Sequence, residues 1–178
     1  MKRFAAGFAT GTVILAVGAV GYLRSGFLDV GADVPVPPWI GRWIADSIHA
    51  SVRRQAAGVS SVAEPSDAMI IAGGRLYLND CVGCHGEPGK PPSDFGATFS
   101  PPAPPLARDG TTYSHAEIFW VAKHGIRRTG MSAQQGSYSD EQLRQLAAFI
   151  RRIRELAPSV TSAPARVGHV SQGERRSA

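Results

Sequence analysis

The chain has 178 residues, of which 43% are hydrophobic and 19% charged, with a formal net charge of +5. That length accommodates one ordinary domain with appendages. Its two cysteines exclude a disulfide framework. Between Asp67 and Ala157, ten Lys/Arg face nine Asp/Glu, so the basic excess lies outside that stretch. Such placement suits membrane topology and anionic headgroups, and argues against nucleic acid.

In chain order, Met1-Lys2-Arg3 is followed by an uncharged stretch from Phe4 to Leu23, closed by Arg24. At about 1.5 Å per helical residue this length matches a hydrocarbon core of roughly 30 Å. Residues 1–23 therefore read as a transmembrane signal-anchor. A cleaved secretory signal, processed near Gly18 and Ala19, is the alternative. Lys2 and Arg3 would stay cytoplasmic, which places the remainder in the periplasm of a bacterial inner membrane as a single-pass protein. Residues 24–66 read as a linker that contains one helix. Asp33-Val-Pro-Val-Pro-Pro38 is stiff and extended, and Pro38 can open a helix. Trp39, Ile40, Trp43, Ile44, Ile48 and Val52 then recur at helical spacing, opposite Arg42, Asp46 and Arg53. Two tryptophans one turn apart just past a membrane span suggest an interfacial helix. The alternative is a face that packs on the following domain or on a partner subunit.

A helix bearing Met69, Gly73 and Tyr77 precedes Cys81-Val82-Gly83-Cys84-His85. A C-x-x-C-H run is the attachment site of a c-type haem. The thiols of Cys81 and Cys84 add across the vinyl groups, and His85 is the proximal iron ligand. A structural zinc site would need further Cys or His ligands, and none stands at suitable spacing. A thioredoxin-like pair would need a strand and helix around it, which the flanks do not supply. The segment from Gly86 to Gly110, rich in Pro, Gly and Ser, reads as an irregular loop wrapped on the haem.

Ser114-His115-Ala116-Glu117 is a capping box that opens a helix through Ile118, Trp120, Val121 and Ala122. Met131 follows in a Gly/Ser/Gln loop, where Gly130 would let the backbone approach the porphyrin. Met131 is the expected distal ligand, with His124 as the rival because imidazole also suits iron. His49, His115 and His169 read as solvated side chains. Ser139-Asp140-Glu141-Gln142 caps a last helix, in which Leu143, Leu146, Ala147, Ile150 and Ile153 recur at helical spacing. Pro158 should end it. Residues 158–178 lack an apolar period and read as a disordered tail.

Residues 67–157 resemble a class I cytochrome c, and more closely the membrane-anchored monohaem cytochromes of proteobacteria. The resemblance rests on Gly73-x-x-x-Tyr77, Cys81-Val-Gly-Cys-His85-Gly86, Pro104-Pro105-Leu106, Ile118-Phe119-Trp120, Lys123-His124-Gly125-Ile126, Thr129-Gly130-Met131 and Leu146-Ala-Ala-Phe149-Ile150. It implies an all-α, small cytochrome c fold, with helices and loops wrapped around one covalently attached haem c and its iron. It further implies that Phe149 packs near Gly73 and Tyr77, and that the Pro104 carbonyl receives the His85 ring N–H. The family commonly has proline after the methionine; Ser132 stands there in this chain.

With Cys81, Cys84, His85, Met131 and Pro104 around the haem, the expected function is one-electron transfer, not catalysis of a reaction. The expected partners are periplasmic or inner-membrane redox proteins: an oxidase, a dehydrogenase or a respiratory complex. Lys123, Arg127 and Arg128 near Met131 would steer an acidic partner, or form an ordinary solvated face. A haem enzyme or gas sensor with a dissociable Met131 is the second reading, and a cytochrome subunit of a larger oxidoreductase is the third.

Overall fold

The computed structural model describes residues 2–31, 33–60 and 64–160. Every regular element among them is helical: α1 Lys2–Arg24, α2 Pro38–Ala56, α3 Asp67–Asp80, α4 Val82–His85, α5 Asp94–Ala97, α6 Leu106–Asp109, α7 His115–His124 and α8 Asp140–Val160. The chain divides into two units, Met1–Pro35 and Val36–Ala178. The first carries α1, whose segment Ala6–Arg24 has 19 residues at a mean hydropathy of 1.7. That is long and apolar enough to cross a membrane, and the protein itself buries none of this segment.

The second unit is organised by the crossing of α3 with α8. A Cβ at Gly73 would sit 1.9 Å from the Gln145 carbonyl oxygen, so only glycine allows the two backbones to approach this closely. One residue on, Gly74 leaves room for the Phe149 ring. The Tyr77 and Phe149 rings pack with centroids 5.5 Å apart, as the family resemblance implied. Leu143, Leu146, Ala147, Ile150 and Ile153 bury the apolar stripe of α8. Each large side chain buried here stabilises the fold by about 1.5–3 kcal/mol. Ile118, Phe119 and Ala122 of α7 complete the core.

Both expected capping boxes form. The Ser114 hydroxyl accepts from the Glu117 N–H, and the Glu117 carboxylate accepts from the Ser114 N–H. Ser139 and Gln142 exchange the same pair of bonds at the start of α8. Pro158 does not end α8, which runs to Val160. Proline's fixed φ is helical, and the ring removes one N–H without forbidding a further partial turn. The residues of the expected disordered tail beyond Val160 lie outside the described ones.

The Gly86–Gly110 segment is less irregular than its composition suggests, because it contains the single turns α5 and α6. Ser93 caps α5 by accepting the Gly96 N–H at 3.0 Å. Helix α2 splits the apolar face expected of it. Its C-terminal half packs on the domain, burying Val52 and Ala56, while Trp39, Trp43 and Ile44 stay exposed.

Candidate functional site

The site begins where α3 ends. The Cys81 N–H donates to the Tyr77 carbonyl at 2.9 Å, so the first thiol leaves directly from the helix terminus. The chain then turns through α4, where the His85 N–H donates to the Cys81 carbonyl at 2.9 Å. This one turn sets both cysteines and the histidine on a single compact scaffold. Both cysteines are free thiols. Burial, aided by the neighbouring Asp80 and Cys84, pushes the Cys81 thiol up to about 12.

His85 is oriented from outside its own turn. Its Nδ1 lies 2.9 Å from the Pro104 carbonyl oxygen. A carbonyl only accepts, so Nδ1 carries the proton and Nε2 presents a lone pair. Burial holds the imidazole below its ordinary pKa, with the Pro104 bond opposing in part, which favours the neutral ring a metal ion needs. Two free thiols and a neutral, pre-oriented imidazole fit a covalently attached haem whose iron is bound through Nε2.

Further residues brace this turn: Tyr77, already part of the family resemblance, and Ser93, Gly96 and Tyr138, which the sequence does not single out. The buried Tyr77 hydroxyl donates to the Gly86 carbonyl at 2.7 Å and lies 3.3 Å from that of His85. Burial raises its pKa, with a smaller contribution from Cys81. Ser93 donates its hydroxyl to the Gly83 carbonyl. A Cβ at Gly96 would fall 2.0 Å from the Cys84 carbonyl oxygen, so α5 lies directly on the C-x-x-C-H turn. Tyr138 donates to the Asp80 carboxylate, which ties the approach to α8 to the residue before Cys81. For Ser93 and Gly96, the signal in the sequence is the Ser93-x-x-Gly96 spacing of a short cap within the irregular loop.

Met131 is half-buried in the loop after α7. The Ile126 N–H donates to its carbonyl at 2.9 Å, and its own N–H donates to the Thr129 hydroxyl at 3.1 Å. Gly125 ends α7 at φ 66°, and a Cβ there would meet the Met131 carbonyl oxygen at 2.6 Å. At Gly130 the space for a Cβ is taken by the Phe99 ring, 2.8 Å away. The role this structure gives that glycine is thus to admit Phe99. His124 is exposed at the end of α7, its ring 5.0 Å from that of Trp120.

The other histidines depart from expectation. His49 packs on Tyr113, with ring centroids 5.2 Å apart. The His115 Nε2 is buried without a hydrogen-bond partner among the described residues, and burial with nearby Arg151 lowers its pKa. Both therefore contact the fold and are not simply solvated; His169 lies outside the described residues. In the basic cluster, Lys123 pairs with Asp140 at 2.7 Å, which leaves Arg127 and Arg128 as its exposed members.

Residues 68–150 match the family model described as cytochrome c oxidase, cbb3-type, subunit III. No solved structure matches the chain. The match spans α3 to the middle of α8 and includes every residue of the site described above. This stretch is a c-type cytochrome domain, small and all-α, which carries a covalently attached haem c and serves haem-based electron transfer.

Proposed function

We propose that the protein is a membrane-tethered monohaem cytochrome c that passes single electrons between redox proteins. When bound, the haem supplies an iron that cycles between the ferrous and ferric states. Cys81 and Cys84 would hold the macrocycle as thioethers, and His85 Nε2 and the Met131 thioether would bind the iron. Bound by two protein ligands, the iron would be closed to substrates, which would leave it outer-sphere electron exchange. The observation that carries this reading is the 2.9 Å contact of His85 Nδ1 with the Pro104 carbonyl, because it fixes the tautomer and direction of the ring.

In the same reading α1 anchors the chain in the inner membrane, with Lys2 and Arg3 on the cytoplasmic side and the haem domain in the periplasm. Arg127 and Arg128 offer exposed positive charge to an acidic partner. A second reading draws on the family description, which names an oxidase subunit: the chain would then be one subunit of a larger oxidoreductase complex. Purification in mild detergent separates the two, since a subunit brings stoichiometric integral partners and a free carrier does not.

The primary test is the absorption spectrum of the reduced, haem-loaded protein before and after addition of carbon monoxide. An unchanged spectrum is expected for an iron closed by Met131. A shifted spectrum means an open or weakly held distal position, and would redirect the function towards small-molecule chemistry.

A further inference from the structure

Helix α2 has two apolar faces with different fates. Val52 and Ala56 are 2% and 4% exposed against the domain, whereas Trp39 and Trp43 are 53% and 69% exposed. On a period of 3.6 residues, the tryptophans point roughly half a turn away from the buried pair. Their rings meet edge to face with centroids 5.0 Å apart, so they form one ridge. The contacts His49–Tyr113 and Arg53–Glu117 hold the other side of the helix to the domain. The ridge is therefore fixed to the haem domain and faces away from it.

We infer that this ridge rests in the lipid headgroup region, so that α2 seats the haem domain on the membrane surface in one orientation. The inference rests on the reading of α1 as the membrane anchor. Three features favour lipid over protein as the occupant. First, only residues 25–37 separate α1 from α2, a reach of at most about 45 Å when fully extended. Second, besides Arg53, which pairs with Glu117, α2 carries Arg42 and Arg54 against the single acid Asp46, a balance suited to anionic headgroups. Third, the two tryptophans expose on the order of 300 Å², well below the roughly 800 Å² per partner of a stable protein interface. An indole, apolar with one N–H donor, is suited to the boundary between acyl chains and water.

The test uses full-length, haem-loaded protein in vesicles of phosphatidylcholine and phosphatidylglycerol. Single variants Ile14→Cys, Trp43→Cys and Arg152→Cys each carry a bimane label; the native cysteines are thioether-bound and do not react. Each label is quenched by iodide from the water and by brominated acyl chains from the lipid. A label at 14 quenched only by brominated lipid establishes the anchor. At position 43 the expected result is quenching by brominated lipid several-fold stronger than at 152, with iodide quenching correspondingly reduced. If 43 behaves like 152 while 14 remains in lipid, the anchor stands and the seated orientation is wrong. Protection of 43 from both quenchers means that protein covers the ridge, which also overturns the proposal. Iodide access at both 14 and 43 defeats the anchor and the seating together.

Discussion

The two loops proposed to supply the axial ligands are held in different ways. The C-x-x-C-H turn is braced by residues far from it in sequence: Tyr138 on Asp80, Gly96 against Cys84, and Pro104 on His85. The Met131 loop is held by bonds within it, from the Ile126 N–H to the Met131 carbonyl and from the Met131 N–H to the Thr129 hydroxyl, and by the Gln134 N–H on the Ala122 carbonyl of α7. From further along the chain, the Phe99 ring lies on Gly130. Tertiary bracing resists displacement because several elements must move together, whereas a locally bonded loop opens at lower cost. On the proposed ligation, the His85 side would be the fixed half of the site, and the Met131 side the half that sequence change can adjust.

That contrast can be broken most severely at His85. His85→Ala should leave no stable haem-loaded protein, measured as the yield of covalent haem per chain after maturation. Gly96→Ala comes next, because its methyl group collides with backbone at the Cys84 carbonyl. Overpacking of this kind costs about 1–3 kcal/mol, to be read as a lowered denaturant midpoint of the holoprotein. Tyr77→Phe should cost a similar or smaller amount, about 1–3 kcal/mol, since it leaves the buried Gly86 carbonyl without its donor. Met131→Ala should be the mildest in stability and the most informative in redox terms. Its potential should fall and the reduced protein should bind carbon monoxide. Equal losses of stability from Met131→Ala and Gly96→Ala would mean that the two loops are not held differently after all.

Much of this was legible in the sequence, because certain residues permit few alternatives. Cys81, Cys84 and His85 announce their chemistry by spacing alone. The two Ser-x-x-Glu/Gln boxes name their own bonds. Gly73, Tyr77, Phe149 and Pro104 were placed by resemblance; in the structure Phe149 lies on Tyr77 and Gly74, Gly73 lies on Gln145, and the Pro104 carbonyl lies on the His85 ring. What escaped was whatever depends on a partner distant in sequence. Gly96 is one glycine among many in a Pro/Gly-rich loop until α5 is seen against Cys84. The charge of Lys123 looked free until Asp140 was found beside it. A single apolar period along α2 could not reveal that its two ends turn to different surroundings, because periodicity records a face and not what covers it.

The crossing at Gly73 also dictates an order of events during synthesis. It joins the first helix of the domain to the last, so the α3 backbone finds its closest partner at Gln145 only after nearly the whole domain has emerged. Contacts of such long sequence separation form late and slowly. Until α8 arrives, Tyr77 has no Phe149 to pack against. The contact that closes the domain is therefore among the last to become available, long after the segment carrying Cys81 and Cys84 has been made.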